Sequence, residues 1–443
     1  MTASSEGPSA TDVVSRPRWW LERIKVNQFR SVEPGTQLCF SEGLHVVLGK
    51  NASGKSTLLD LIAASLAVDF EHPAFHDEPL DLEFVVSAGG LHFEAKLKRA
   101  LRDNASGMPG DMKGRQRPPH EEGRYILRAP SGFEVTVVLS SDDLPRRTVE
   151  GVDPAQYGLD QPLKAYHQLP PLAPTLDGLY NLWFQGSGRA RDAMAALVGR
   201  DTFLARTRDR PFRMSEGDEL LDEFGDNDFI IQLGQSVRSQ PYLLPDKIFK
   251  ELSPTGSAIE VQLAVEPLLL SFVREMGFTE ARMSLGPPRV ERDFGHDLFA
   301  YSMPTFTFYR DGRLVRRVDQ LSYGQRRLFA LGWYLVCTRD FAILDEPANG
   351  LHESWVTFLV SQLHGRQVFL TSQNRELLDM LPFSTEMELS RGFVLCESRL
   401  QRGSEPMLHW RGLREDESAL MIKALRASRV DLITDLLRAL DLW

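Results

Sequence analysis

The chain has 443 residues, 42% of them apolar and 25% charged, with a formal net charge of −10 and three cysteines. That mix belongs to a globular chain too long for one hydrophobic core, so two or three sub-structures are expected. No run approaches the ~20 apolar residues of a membrane span, and the acidic balance excludes a strongly basic nucleic-acid coat while leaving room for a local basic groove.

In chain order, residues 1–17 are small and polar with no apolar core region, which argues against a secretory signal and predicts a disordered tail, with the cytoplasm as the default location. Next comes "WWLERIKVNQFRSVEPGTQLCFSEGLHVVLGKN", in which Ile24, Val26 and Phe29, then Leu38 and Phe40, then Leu44, Val46 and Leu48 space themselves as strand cores do. Trp19 and Trp20 read as packing residues. The third strand runs into "GKNASGKS", after which "TLLDLIAASLA" has helical spacing. Two hairpins follow, "LEFVVSAGGLHFEAKLKRAL" and "RYILRAPSGFEVTVVLSS", separated by a Gly/Pro-rich exposed loop. These segments make an N-terminal lobe over 18–165. Residues 166–300 change to helix-like pieces such as "LYNLWFQGSGRARDAMAALVG" and "IEVQLAVEPLLLSFVREMG", so a helical insertion without coiled-coil heptads is predicted there. Over 301–400 a hairpin turning at Asp311-Gly312 precedes "LSYGQRR", an apolar helix and the strand of "DFAILDEPANGLH". Residues 401–443 are expected to close the chain with one amphipathic helix around Leu420, Ala424, Val430, Ile433, Leu437 and Leu440. Cys39, Cys337 and Cys396 lie far apart in apolar runs and read as small core residues.

The glycine loop carries the first chemistry. Gly49 and Gly54 let the backbone, with Lys50, Asn51, Ala52 and Ser53, wrap closely and aim N–H groups at phosphate oxygens, and the helix beginning near Thr57 adds its positive end. Lys55 would reach the β and γ phosphates of ATP, and the Ser56 hydroxyl would bind Mg²⁺. In "ILDEP", Asp345 would complete the Mg²⁺ shell and Glu346 would polarise the attacking water. "LSYGQRR" is a second anion-binding helix start, with Ser322, Gly324 and Gln325; a plain helix cap by Ser322 is equally sound physically.

The succession of P-loop, "LSYGQ" and "ILDEP" resembles the ABC-type ATPases, with "LSYGQ" standing at their LSGGQ-like signature. "IKVNQFRSV" and "DEPANGLH" resemble the SMC, RecF and OLD-like branch, whose bacterial AAA-type members often serve in phage defence. The likeness covers about 18–70 and 300–380. It implies an α/β fold: a P-loop head with a mixed sheet, an antiparallel β subdomain and the helical insertion. It also implies a homodimer that sandwiches ATP between Lys55 of one subunit and Ser322 of the other, with Asn27 and Arg30 of the entry strand among the nucleotide-binding candidates. "FLTSQNRELLD" places Gln373 where the family has its switch histidine, and an amide cannot take up a proton near neutral pH, so slow hydrolysis is expected. Gln168 is the best-placed Q-loop candidate for the metal, although a plain loop glutamine fits as well. No Asp-x-Asp or HNH-like cluster follows Gln373, so effector activity is expected in a separate partner protein, with nucleic acid a second possible target. A transporter subunit and a non-hydrolysing scaffold or sensor are the competing classes.

Overall fold

The computed structural model describes residues 19–67, 75, 78–88, 91–100, 120–128, 134–140, 147–148, 213–214, 229–232, 245–251, 258–287, 289–293, 296–301, 304–338, 340–383, 385–399, 406–427 and 433–440. The expected tail at 1–17, Gln168, the two hairpin turns near 89 and 131, and the segment "LYNLWFQGSGRARDAMAALVG" fall outside them.

Trp20–Phe29 (β1) and Thr36–Cys39 (β2) pair antiparallel, and Leu44–Leu48 (β3) runs through the glycine loop into helix Lys55–Ala67 (α1). Leu80–Ala88 (β4), Leu91–Ala100 (β5), His120–Arg128 (β6), Glu134–Ser140 (β7) and Arg147–Thr148 (β8) extend an antiparallel sheet of order β2-β1-β4-β5-β6-β7-β8. Buried Leu82, Phe84 and Val86 alternate with half-buried neighbours on β4, so this sheet packs through one face.

Within the expected helical insertion, the described residues hold strands Arg213–Met214 (β9) and Phe229–Gln232 (β10), helix Asp246–Glu251 (α2), strand Ile259–Gln262 (β11), helix Pro267–Glu275 (α3), and strands Glu280–Leu285 (β12), Arg289–Asp293 (β13) and His296–Tyr301 (β14). "IEVQLAVEPLLLSFVREMG" is therefore a strand and a helix rather than one helix. Pro267 occupies the first helical turn, where its missing N–H costs nothing, and it bars the helix from extending upstream.

Thr305–Arg310 (β15) and Arg313–Arg317 (β16) form the predicted hairpin, with φ of 50° at Asp311 and 76° at Gly312, the signs a two-residue turn of this kind needs. They complete an antiparallel sheet β11-β12-β15-β16. Helix Tyr323–Cys337 (α4), strand Phe341–Leu344 (β17), helix Glu353–Gln362 (α5), strand Gln367–Thr371 (β18), helices Arg375–Asp379 (α6) and Glu386–Gly392 (α7), strands Phe393–Arg399 (β19) and Met407–Gly412 (β20), and helices Glu415–Ala427 (α8) and Ile433–Ala439 (α9) follow. The single closing helix expected over 420–440 is thus two helices.

The central sheet runs β20-β19-β3-β18-β17-β9, parallel except for the β19/β20 pair. It is covered on both sides. Val47, Phe341, Ile343 and Phe369 face a core shared with α1 and the large antiparallel sheet, while Val46, Leu48, Ala342, Leu344, Val368 and Leu370 face the core around α3 and α4. Burial on both faces explains why these strands read as continuous apolar runs. Helix α1 is apolar nearly all round because it lies between two sheets. Cys396 is buried, and desolvation pushes its thiol far above the ordinary range, so it is an inert packing residue. Cys337 is half-buried, and Cys39, expected in the core, is exposed because its side chain falls on the outward-facing positions of β2.

Candidate nucleotide-binding site

Adjacent parallel strands β3, β18 and β17 end at the same edge of the central sheet, which is where open α/β sheets place ligands. β3 delivers the glycine loop, β17 delivers Asp345 and Glu346, and β18 delivers Gln373. Together with Arg30 and Ser31 from the end of β1 and with Ser398, Pro406 and Leu408 from β19 and β20, they line a cleft of about 550 Å³.

The loop is shaped for close approach. Gly49 has φ 151°, and a Cβ there would lie 2.2 Å from the Cys396 carbonyl oxygen; Gly54 has φ 87°, and a Cβ would lie 2.7 Å from Leu408 Cδ1. Ala52, at φ 61°, bends the loop between them. The Lys55 ammonium donates to the carbonyls of Gly49 at 2.8 Å and Lys50 at 3.1 Å, which holds it curled over the loop.

Ser56 Oγ donates to Asp345 Oδ2 at 2.9 Å, and the other oxygen of Asp345 accepts from Thr371. A hydroxyl and a carboxylate sharing one point in space form the hard oxygen donor pair a Mg²⁺ ion takes, and such an ion would neutralise phosphate charge there. These residues fit ATP with Mg²⁺. Among the described residues there is no cluster of three His, Cys, Asp or Glu able to hold a metal by protein ligands alone.

Glu346 is 7% exposed and sits at φ 49°, a strained backbone for a non-glycine residue. Its N–H donates to Thr371 Oγ1 at 2.9 Å, and its carboxylate accepts from the Gln373 N–H at 2.9 Å. The Gln373 side chain donates to Asn51 Oδ1 at 3.0 Å, tying β18 to the glycine loop.

Of the residues singled out from the sequence, Arg30, Asn51, Ala52, Gly54, Lys55, Ser56, Thr57, Asp345, Glu346 and Gln373 meet in this cleft. Gly49 and Lys50 contribute carbonyls to Lys55, and Ser53 is buried beneath the loop. Asn27 is not brought there: its amide donates to Asp81 at 2.9 Å and Glu83 at 3.2 Å on the neighbouring strand, because its side chain leaves β1 on the sheet face away from the loop. Ser322, Gly324 and Gln325 do not line the cleft either. Ser322 Oγ accepts from the Gln325 N–H at 3.3 Å, and Gln325 Oε1 accepts from the Ser322 N–H at 3.1 Å, a capping box at the start of α4. Thr371 stands in the quoted "FLTSQN" and was missed because a strand-end threonine carries no motif; Ser398, Pro406 and Leu408 lie too far along the chain for any local pattern to mark them.

A family model described as "AAA domain, putative AbiEii toxin, Type IV TA system" matches residues 203–379, and another, described as "AAA domain", matches residues 23–72. Over these two stretches the chain is similar to AAA-type domains. The shorter match contains the glycine loop and the longer one contains the Asp345-Glu346 strand end. Over 227 residues the chain is 25% identical to a Geobacter sulfurreducens protein named "Putative ABC transporter ATP-binding protein", covering 49% of this chain and 70% of that one. Among solved structures it is similar to the SMC head domain from Thermotoga maritima (13% identity, TM-score 0.34, 89% of this chain and 99% of that one). The recombination mediator protein RecF is another (15% identity, TM-score 0.29, 82% of this chain and 95% of that one). No helix among the described residues is long and apolar enough to cross a membrane.

Proposed function

We propose that the chain binds ATP with Mg²⁺ in this cleft, hydrolyses it slowly, and dimerises around it as a nucleotide-gated switch in the cytoplasm. The observation that carries this reading is the convergence of the Lys55 loop, the Ser56–Asp345 pair and Glu346 at one sheet edge. Lys55 and the loop amides hold the phosphates, Ser56 and Asp345 hold the cation, and the Glu346 carboxylate orients and polarises the attacking water.

Ser322, the exposed cap at the start of α4, does not line its own chain's cleft and would be offered to a second copy, where α4 would add its positive end to the γ phosphate. ATP then links two chains, and loss of the γ phosphate removes the link. The closure is passed to a separate effector protein or to a nucleic acid; a role in phage defence is the biological setting this suggests.

E346Q tests the reading. With ATP the variant should persist as a dimer by light scattering, and wild type should return to monomer as phosphate is released; a variant that stays monomeric in saturating ATP sinks the sandwich. A second reading, a sensor that binds ATP without turning it over, is favoured by Gln373, whose side chain is held by Asn51 and cannot take up a proton near neutral pH. Phosphate release by wild type separates the two.

A further inference from the structure

Glu346 is held by two different elements. Its N–H and carboxylate are bonded to β18 and the residues after it, at Thr371 and Gln373, while its carbonyl oxygen accepts from Arg327 Nη2 of α4. Arg327 is 2% exposed, and its Nη1 donates at 3.1 Å to the hydroxyl of Tyr323, which stands in the first turn of the same helix. Tyr323 is 54% exposed, yet its ring lies so close over Gly350 that a Cβ there would be 2.3 Å from it. A Cβ at Gly324 would lie 2.9 Å from the Gly350 carbonyl. The Asn349 N–H also donates to the Glu346 carbonyl, at 3.2 Å, so residues 346–350 form one turn on which the start of α4 rests.

From this geometry we infer that Tyr323 and Arg327 are positioning residues for Glu346, transmitting movement of the exposed Ser322–Gly324 corner to the carboxylate. A backbone at φ 49° keeps its place only while its surroundings over-determine it, and Arg327 supplies one of the restraints. The guanidinium is suited to this because its planar fork reaches two acceptors at once, one on Tyr323 and one on Glu346. Satisfying a buried cation would explain the two bonds equally well, but would leave Glu346 indifferent to the Tyr323 hydroxyl. The inference rests on Glu346 being the water-polarising group, and its physical core can be tested without turnover.

The experiment is Y323F, which removes one oxygen from an exposed residue and leaves the ring on Gly350. In the nucleotide-free chain, amide hydrogen exchange over 346–350 should quicken several-fold while that of 49–57 stays as in wild type. In steady-state phosphate release, kcat should fall about tenfold with KM for ATP unchanged. R327K, which keeps the charge but not the fork, should reproduce the faster exchange. Unaltered exchange at 346–350 in Y323F overturns the inference, as does a rise in KM at constant kcat. If wild type releases no phosphate, the proposed hydrolysis fails, and the exchange measurement still decides the link between Tyr323 and Glu346.

Discussion

At the scale of single residues, two glycines in one loop differ in what surrounds them. The missing Cβ of Gly49 faces a backbone carbonyl at 2.2 Å, and that of Gly54 faces the end of a leucine side chain at 2.7 Å. A carbonyl fixed in β19 cannot yield, whereas a leucine tip can turn. G49A should therefore cost about 2–4 kcal/mol of stability and G54A about 1–2 kcal/mol, in that order, as read from urea midpoints. Equal losses would show that the strain of positive φ, common to both, outweighs the contacts. Lys55, Ser56, Asp345 and Glu346 were legible in the sequence because each belongs to a short contiguous motif. Asn27 was misplaced because a motif gives a position along a strand without saying which face its side chain leaves from, and here it leaves towards Asp81 and Glu83.

Among the elements, α4 is fixed at its start by two polar side chains. Ser322 caps the helix through a reciprocal pair with Gln325, and Gln325 Nε2 also donates to the Met276 carbonyl at 3.2 Å, beyond α3. S322A should thus lower the stability of the nucleotide-free chain by about 1 kcal/mol, roughly one degree in thermal unfolding for a chain of this length. If ATP-dependent dimerisation is also lost from an otherwise folded S322A chain, the same hydroxyl serves the phosphate in trans; an unchanged melting temperature would refute the cap. Strand and helix types were legible wherever the apolar period was unbroken, as in β4, β17 and α4. They were misread at 259–277, where a helical period continues across Pro267 but the backbone cannot, and at the C-terminus, where a shared apolar stripe hid two helices.

For the molecule as a whole, the C-terminal helices are attached to the central sheet by a buried carboxylate. Glu417 of α8 is 5% exposed; it accepts from Arg411 of β20 at 2.7 and 3.0 Å and from the Arg414 N–H at 2.7 Å. Burial alone would raise its pKa, but Arg411 and Arg414 together overcome this and push it down to about 2. A depressed carboxylate stabilises the fold above its unfolded pKa and loses that contribution as pH falls through the folded value. The loss therefore spans about pH 4.5 to 2. E417Q should lower the melting temperature at neutral pH, by about 1–3 kcal/mol of stability, and flatten its decline across that window. A wild-type acid profile retained in E417Q would assign the acid sensitivity to other groups.

The sequence by itself determined which motifs are present: a glycine loop between strand and helix, two acids at a strand end and Gln373 just past the next strand are local patterns, and local patterns survive in a string of letters. Tertiary structure alone decided which of them meet. Strand order β3-β18-β17 places three distant chain segments side by side, and packing of the α4 start on residues 346–350 joins Tyr323 to Glu346. Sheet order and the contact of one loop with another are set by burial across long separations, which no spacing along the chain records.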